Sequence, residues 1–215
     1  MSRKNLSVTI KIPKFFRDKL KNKKINNIYK RFEKSLNINE SFAVAVSGGP
    51  DSLALAFLAK IYSIKKRLSV KFFIVDHKLR SESTKEAKFV SLLLKKKLIE
   101  SEILTWKGRK PIKNIQSEAR IKRYELLFKQ CEKFKIKNIL LGHHQGDLFE
   151  NFFIRFLRGS GLKGLISLDK RSKIQNKNIL RPLIDQKKED LVYISKKVFN
   201  FYVEDPTNLD EKFQR

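Results

Sequence analysis

The sequence predicts an α/β protein built on a parallel sheet with helices on both faces. From residue 42 onward, short β-like runs alternate with longer stretches of helical periodicity. Such alternation is typical of parallel strands joined by crossover helices. The 215 residues, of which 41% are hydrophobic, are sufficient for one sizeable domain with a core of its own and a short appendage.

Four strand-helix pairs are predicted in order along the chain. The strands are FAVAV (42–46), VKFFIVD (70–76), SEILTW (101–106) and IKNILLG (136–142), and the helices that follow them are 51–62, 83–97, 117–134 and 147–157. The second helix begins with Ser-Thr-Lys-Glu at 83–86, a capping-box sequence. In the third helix Cys131 belongs to an apolar stripe at helical spacing, which predicts a core residue rather than a nucleophile.

Three regions divide the chain. Residues 1–41 are a basic lead-in with one predicted helix, from Ile25 to Leu36. Residues 42–170 hold the four strand-helix pairs and form the core. Periodicity weakens after Leu165 and returns as a helix near 187–199, so residues 171–215 are predicted to be a C-terminal helical extension of the same domain.

The charge balance is strongly basic. Lys and Arg total 49 against 22 Asp and Glu, a formal net charge of +27. This excess predicts a polyanionic partner, namely nucleic acid. The alternative is the composition of an A/T-rich genome, in which many lysines only solvate the surface.

Cysteine usage and hydropathy indicate a cytoplasmic protein. Cys131 is the single cysteine, which excludes an intramolecular disulfide and a CxxC metal site. The longest apolar run, Leu53 to Ala59, is far shorter than the ~20 residues that span a bilayer. The first residues contain no apolar segment typical of a signal peptide. The sequence therefore predicts neither export nor insertion into a membrane.

The segment between the first strand and the first helix has the features of a phosphate-binding loop. It consists of Ser47, Gly48, Gly49, Pro50, Asp51 and Ser52. Glycines allow a tight turn, serines add hydroxyl donors, and the amides at a helix N-terminus face an anion. A carboxylate beside a triphosphate is repulsive unless a cation lies between them, so Asp51 is a predicted Mg²⁺ ligand. The alternative is an ordinary Gly-Gly turn with Asp51 or Ser52 as the helix N-cap.

This loop resembles the SGGxDS signature of the PP-loop ATP pyrophosphatases. It is not a Walker motif, because GxxxxGK[ST] does not occur in the sequence. The resemblance implies the adenine nucleotide alpha hydrolase-like fold and cleavage of ATP to AMP and pyrophosphate. Enzymes of this class adenylate a carbonyl-type oxygen, and a nitrogen or sulfur nucleophile then displaces AMP.

Further segments resemble the lysidine synthetases, a family of this class, in order over residues 42–215. They are DHKLR (76–80), ARIKRY (119–124), GHHQGD (142–147), RGSGLKGL (158–165), RPL (181–183) and EDPTN (204–208). Residues 159–164 also spell the dinucleotide fingerprint GxGxxG, but they follow a predicted helix rather than a strand. We interpret them as a loop with Arg155, Arg158 and Lys163 beside it to meet phosphate or RNA. Members of that family continue past the last segment, which leaves open whether the chain is a fragment.

Arg120 and His143 are predicted to act on the phosphates. Arg120 lies near a helix start, four residues before Tyr124, where a cation reaches the carboxyl edge of the sheet and can neutralise developing charge. The alternative for Arg120 is a solvated surface arginine. His143 and His144 follow a strand directly, so one of them is available to hydrogen-bond phosphate or to transfer a proton, and we select His143.

Asp147 is the second predicted Mg²⁺ ligand, beside Asp51, on the strength of the resemblance. Asp147 and Glu150 also spell an Asp-x-x-Glu cap, which leaves helix capping as an alternative. Many members of the family carry two consecutive aspartates (HHxDD), and this chain has Gly146 in place of the first. We expect Asp147 alone to suffice, so that Gly146→Asp changes the magnesium dependence little.

The resemblance implies a ligase of tRNA processing with ATP and Mg²⁺ as cofactors. ATP activates C2 of the wobble cytidine in a minor isoleucine tRNA, and free L-lysine displaces AMP to give lysidine. A PP-loop tRNA thiolase is one alternative, although such enzymes generally use paired cysteines. A second alternative is a non-catalytic basic RNA-binding protein. The intact SGGxDS motif, with its aspartate, argues against this alternative. The sequence predicts neither the oligomeric state nor the lysine pocket.

Overall fold

A computed structural model of the chain describes residues 11–108, 114–144, 146–147 and 169–201. Six strands and six helices are present in these ranges. They are α1 Lys14–Leu20, α2 Lys23–Ser35, β1 Phe42–Val46, α3 Pro50–Lys66, β2 Val70–Asp76, α4 Ser83–Lys95, β3 Ser101–Thr105, α5 Ile115–Lys133, β4 Asn138–Leu140, β5 Arg171–Ile174, β6 Lys177–Leu180 and α6 Lys188–Phe199.

The strands form one sheet in the order β3-β2-β1-β4-β6-β5. All neighbours pair in parallel except β5, which is antiparallel to β6. Phe42 at the start of β1 lies opposite Val70 of β2 on one side and Asn138 of β4 on the other. The carboxyl ends of β2, β1, β4 and β6 therefore meet at one edge of the sheet, called the carboxyl edge below.

Helices cover both faces of the sheet, which confirms the predicted fold class. One face carries α3 with α2, α4 and α6 around a buried core that includes Phe32, Phe57 and Leu94. The other face carries α5, whose Leu127 and Cys131 pack against strand residues such as Phe73 and Ile139. Cys131 is fully buried, as predicted.

The apolar run of α3 is a buried core segment. Every residue from Leu53 to Ala59 is fully buried, because the helix packs between the sheet and the surrounding helices rather than at a surface. No helix in the described ranges is long and apolar enough to cross a membrane.

The described part of the lead-in packs on the core. Asn22 caps α2, accepting the Ile25 N–H at 3.1 Å, so the helix begins at Lys23, two residues before the predicted start. Its apolar residues Ile25, Ile28, Tyr29 and Phe32 are buried. This basic segment is therefore amphipathic, with its charges on the outer face.

The predicted capping box at Ser83 does not form, although α4 begins there. Ser83 Oγ donates to Asp76 Oδ1 at 2.9 Å and Thr84 Oγ1 donates to Asp76 Oδ2 at 2.7 Å. Glu86 pairs with Arg80 at 2.9 Å instead of reaching back to the helix start. The physical reason is that Asp76 is 2% exposed, and a buried carboxylate needs these hydroxyl donors.

Residues 171–180 form a β-hairpin that the sequence analysis did not predict. β5 and β6 have four residues each and are joined by a two-residue turn in which Gln175 has a φ of 52°. β5 has no fully buried residue and reads as polar (RSKI), so hydropathy gives no strand signal there. The helix predicted nearby is present as α6. The predicted helix 147–157 lies outside the described residues except for Asp147.

Tyr62 ties the lead-in to the core, and Tyr62→Phe tests this connection. Its Oη accepts the Ile38 N–H at 3.3 Å and lies 2.9 Å from Leu36 O and 3.0 Å from Ile38 O, all in buried surroundings. We expect Tyr62→Phe to lower the free energy of unfolding by about 1–3 kcal/mol in urea titrations, because buried groups lose their partner.

Tyr193→Phe is the matched control for this variant. Among the described residues, the Tyr193 hydroxyl accepts one hydrogen bond, which is exposed, from Asn22 Nδ2 at 3.1 Å. Its loss should change the free energy of unfolding by no more than about 0.5 kcal/mol. Equal costs for the two variants would contradict the anchoring role of Tyr62.

Candidate active site

The phosphate loop, residues 47–52, is organised around one hydroxyl group. Ser52 Oγ accepts the N–H groups of Ser47 and Gly48, each at 3.1 Å, and donates to Gly49 O at 3.0 Å. Gly48 has a φ of 92°, which favours glycine. The sequence adopts a compact turn here because a single serine satisfies both ends of it.

The loop opens directly into α3. Pro50 occupies the first helical position and Gly49 the cap position, so Asp51 and Ser52 lie inside the first turn. The alternative in which one of these two side chains caps the helix is therefore wrong. Ser195 of α6 donates to Pro50 O at 2.6 Å, which fixes the start of α3 against its neighbour. The N-terminus of α3 thus points to the carboxyl edge, where helix amides favour an anion.

Gly142 lets the end of β4 approach this helix start closely. A β-carbon at Gly142 would lie 3.1 Å from Ser52 N and 3.2 Å from the carbonyl carbon of Asp51. Both atoms belong to the backbone of the phosphate loop and cannot rotate away. The glycine therefore sets the distance between the phosphate loop and the two histidines that follow β4.

Asp51, His144 and Asp147 form a cluster between the two loops. His144 Nε2 lies 3.7 Å from Asp51 Oδ2 and 3.8 Å from Asp147 Oδ2. Asp147 Oδ2 also accepts the His144 N–H at 2.7 Å, which holds the turn after β4. One imidazole thus lies between the two carboxylates that the sequence analysis selected.

Burial raises the pKa of Asp51, and Asp147 raises it further, whereas His144 lowers it. Asp51 Oδ1 is buried and has no hydrogen-bond partner among the described residues. A buried carboxylate oxygen without a donor carries a desolvation cost that a cation relieves. This oxygen points to a cation or a donor that belongs to the ligand rather than to the described protein.

The two carboxylates fit a Mg²⁺ ion. They supply hard oxygen donors, and Mg²⁺ is commonly held by one or two carboxylates together with substrate phosphates and water. In the described ranges no group of three or more His, Cys, Asp or Glu side chains gathers into a closed metal site. Two carboxylates match the protein's share of an ion that is held together with substrate phosphates.

His143 lies beside this cluster and is held neutral. Burial lowers its pKa to about 4, with further lowering by the charges of Arg181, Arg120 and Arg123, while Asp147 raises it. Its Nδ1 is buried without a partner among the described residues. A neutral imidazole can donate or accept a hydrogen bond but adds no charge to the site.

Arg120 lies in the first two turns of α5, which begins at Ile115. Its guanidinium is over the Tyr124 ring, 5.6 Å from the ring centroid. Its charge lowers the pKa values of His143, Arg123 and Arg181, so it shares their surroundings. Its side chain is exposed in the described structure, so the role predicted for Arg120 stays a prediction.

Sequence reasoning missed several residues that the structure adds to this edge. They are His77, Arg123, Gly142 and Arg181. His77 resembles His143, because burial lowers its pKa to about 4 and its Nδ1 has no described partner. All four belong to segments that resemble the lysidine synthetases, but the sequence analysis gave them no role. His144 was a candidate together with His143, and the structure places it against the two carboxylates.

Other predicted elements lie outside the described residues. They are Glu150, Arg155, Arg158, Lys163, the glycine-rich stretch 159–164 and the EDPTN segment 204–208.

Comparison with known proteins identifies the family. A family model described as a PP-loop domain matches residues 18–215. The chain belongs to the PP-loop family. Because PP-loop domains use ATP, this membership supports the use of ATP by the chain.

Curated relatives that match the chain are named tRNA(Ile)-lysidine synthase. The one from Orientia tsutsugamushi (strain Boryong) is 40% identical over 177 residues, covering 82% of this chain and 40% of the relative. The one from Wolbachia pipientis wMel is 39% identical over 179 residues, covering 82% of this chain and 42% of the relative. The chain thus spans about two fifths of the length of these relatives.

Among solved structures, the U34-tRNA thiolase NcsA from Methanococcus maripaludis with its [4Fe-4S] cluster has a TM-score of 0.72. It is 19% identical in sequence, and the match covers 84% of this chain and 65% of that chain. At this identity the likeness shows a shared fold alone.

The geometry changes the expectation for Gly146. A β-carbon at this position would lie 2.6 Å from His144 Cε1, and Gly146 N–H donates to His144 Nδ1 at 2.8 Å. We expect both Gly146→Ala and Gly146→Asp to displace the His144 ring, and therefore to shift the His144 ring resonances in NMR spectra.

Gly146→Ala separates the steric effect from the added charge, because it supplies the β-carbon without a carboxylate. A difference in magnesium affinity between Gly146→Ala and Gly146→Asp is then an effect of the added carboxylate. Unchanged His144 resonances in both variants would show that the ring is not fixed by the missing β-carbon.

Proposed function

We propose that the chain carries the adenylation site of a tRNA(Ile)-lysidine synthase. The observation that carries the proposal is the pairing of Asp51, inside an SGGxDS loop, with Asp147 across His144, in a chain similar to proteins of that name. In this proposal ATP, the wobble cytidine of a minor isoleucine tRNA and free L-lysine are the substrates. Lysidine, AMP and pyrophosphate are the products, and the enzyme acts in the cytoplasm.

The phosphate loop binds ATP and orients its α-phosphate. The amides at the N-terminus of α3 hold the phosphates, while the Ser47 and Gly48 amides donate to Ser52 Oγ and fix the turn that precedes the helix. Asp51 and Asp147 would hold Mg²⁺, which neutralises phosphate charge and orients the leaving pyrophosphate when it is bound. Asp51 Oδ1, buried without a described partner, is positioned for that role.

The chemistry proceeds in two displacements. The C2 oxygen of cytidine attacks the α-phosphorus and pyrophosphate leaves; the ε-amine of lysine then adds at C2 and expels AMP. Arg120 stabilises negative charge that develops on the phosphates, and neutral His143 hydrogen-bonds the reacting groups without repelling a cation. Lysine must react as a free amine, so a site without an extra imidazolium charge favours its approach.

The net charge of +27 supports tRNA as the partner. Many of the exposed basic residues lie on the outer faces of α1 and α2, for example Lys14, Arg17, Lys30 and Lys34. Phosphate neutralisation by such side chains releases counterions and makes binding dependent on salt.

A tRNA thiolase fits the chain less well. Cys131 is the single cysteine and is fully buried in the core below α5. Burial raises the pKa of its thiol to about 11, so almost no thiolate forms at neutral pH. Cys131 is therefore not a suitable nucleophile for sulfur transfer.

Asp51→Asn and Asp147→Ala test the adenylation site. We expect each to lower lysine incorporation into tRNA about 100-fold or more, because each removes a ligand of the ion that clamps the phosphates. The measurement is transfer of labelled lysine to an isoleucine tRNA with a CAU anticodon, with one AMP formed for each lysine. If Asp147 only capped a helix, the cost would be about 1 kcal/mol of stability with unchanged turnover.

Asp18→Asn on α1 is the matched control, since it removes an exposed carboxylate that pairs only with Lys21 among the described residues. Its lysine incorporation should equal that of the original chain. Wild-type rates in Asp51→Asn at limiting magnesium, or AMP formation without lysine in the RNA, would contradict the proposed function.

The affinity for tRNA is expected to fall steeply between low and physiological salt. Several phosphates must be neutralised by a chain of this charge, and each released counterion adds about 0.9 to the slope of log affinity against log salt for a duplex. Filter binding at a series of salt concentrations measures the slope. If the affinity did not depend on salt, or if tRNA did not bind at low salt, the basic residues would reflect the composition of the genome and not a nucleic-acid partner.

A further inference from the structure

A cavity of about 570 Å³ lies on one face of the sheet, away from the phosphate loop. It is lined mainly by polar side chains of the α2–β1 loop and of strands β4, β6 and β5, namely Asn37, Asn39, Asn138, Asn178, Arg171 and Lys173. We call this cavity the amide pocket, after its four asparagines. Its size lies within the range of ligand sites, which is roughly 300–1,000 Å³.

The strand register places the polar side chains of the pocket in a row. Asn138 of β4 lies opposite Asn178 of β6, and Asn178 lies opposite Lys173 of β5. Asn178 Nδ2 donates to Asn138 Oδ1 at 2.9 Å, which joins the two amides. Two residues further along β6, Leu180 lies opposite Arg171 on the same face, because side chains alternate along a strand. Strand pairing therefore holds two amides and two cations on one face of the sheet.

The described helices leave this part of the sheet face open. Asn178 is exposed although β6 has a paired strand on each side. Leu180 and Ile38 also line the pocket, and both are buried. The faces of a mostly parallel sheet are normally covered. An open face that carries both apolar and polar groups is suited to a ligand with an apolar surface and a polar edge.

Positive charge surrounds the pocket. Arg171 and Lys173 are exposed, and neither forms an ion pair with a described residue. Glu40 is the only carboxylate among the described residues that line the pocket. Two further exposed lysines, Lys34 and Lys137, stand within three residues of lining residues along the chain. The pocket therefore favours an anionic ligand.

The asparagines indicate which anion fits. A carboxamide offers both donors and an acceptor, and this combination matches the edges of nucleobases. Asn37 and Asn39 are exposed, and their side chains make no hydrogen bond with a described residue. A nucleotide has a flat base for the apolar floor, a polar edge for the amides and a phosphate for the cations. An acidic peptide would use mainly the cations.

We propose that the amide pocket binds one nucleotide of an RNA strand, with its base at the asparagines and its phosphate at Arg171 and Lys173. The inference rests on the proposed function, in which the substrate is tRNA. The lining loop 37–40 precedes β1 and the phosphate loop follows it, and the five residues of β1 span roughly 15 Å. The bound nucleotide is therefore a different one from the reacting cytidine. A free nucleotide such as AMP has the same chemistry and is the other source.

Binding of a fluorescent anticodon stem-loop RNA with a CAU loop, followed by anisotropy, tests the pocket in the 215-residue chain. We expect Lys173→Gln to weaken binding about fivefold and to reduce the salt slope by about 1, as for a lost phosphate contact. Asn39→Ala should weaken binding about fivefold with an unchanged salt slope, because an amide contact releases no counterion. The matched control is Lys88→Gln on the exposed face of α4, which should change the affinity less than about twofold.

Cross-linking locates the bound nucleotide. Cys131 is the single cysteine and is fully buried, so a cysteine introduced at the surface is the only accessible thiol. Lys173→Cys and the control Lys88→Cys are labelled with a thiol-reactive photocrosslinker and mixed with the stem-loop RNA. We expect the label at position 173 to cross-link chiefly to one nucleotide other than the wobble cytidine, and the label at position 88 to give only weak, dispersed cross-links.

The remaining outcomes each contradict the proposal. Unchanged RNA affinity in both Lys173→Gln and Asn39→Ala, or an equal loss in Lys88→Gln, would overturn it. A loss in Lys173→Gln without a loss in Asn39→Ala would indicate a purely electrostatic surface, which an acidic peptide could use equally well. Loss of AMP affinity in calorimetry with unchanged RNA affinity would assign the pocket to a free nucleotide.

The pocket and the proposed function are tested separately, because neither binding nor cross-linking requires turnover. A cross-link to one nucleotide in a chain that forms no lysidine would retain the pocket and reject the function. Lysidine formation without such a cross-link would retain the function and reject the pocket. Lys173→Gln and Asn39→Ala remove no side-chain hydrogen bond or ion pair with a described residue, so we expect both variants to unfold at the same urea concentration as the original chain.

Discussion

The parallel pairing of β1 between β2 and β4 is the constraint on which the site depends. Parallel strands end at one edge, so the segments that follow β1, β4 and β6 meet although they are far apart in sequence. Gly142 then sets how closely the β4 segment approaches the phosphate loop, because no β-carbon separates their backbones. The positions of Asp51, His144 and Asp147 at the site therefore depend on this strand pairing.

Charge is divided along that edge. The carboxylates of Asp51 and Asp147 follow β1 and β4, the buried guanidinium of Arg181 follows β6, and charges of both signs act on His143. Such a division allows a cation and phosphates to be held side by side, each facing groups of the opposite charge. His143 remains neutral because burial lowers its pKa to about 4, and the charges of Arg181, Arg120 and Arg123 also disfavour its protonated form. A neutral imidazole in that position can hydrogen-bond phosphate or a neighbouring group without adding charge to the site.

The features that depend on local sequence patterns were predicted correctly. The features that depend on tertiary contacts were missed. β1 and β2 have the predicted bounds, since continuous apolar runs identify buried parallel strands. β5 was missed because a short polar edge strand gains its stability from pairing and not from hydropathy. Asp51 and Arg120 were found through motifs, whereas the burial of Arg181 could not be foreseen, as arginine is rarely buried. Nothing in the His-His pair indicates which ring faces the carboxylates.

The glycine at 146 and the position of His144 are one structural feature. The ring occupies the space that a β-carbon would need, and the Gly146 N–H fixes the ring through its Nδ1. Nε2 is then directed toward Asp51 and Asp147. A β-carbon at this position therefore requires the His144 ring to move, and the ring that moves is the one that lies between the two carboxylates. A substitution at position 146 thus acts on the site through the imidazole as well as through any carboxylate that it adds.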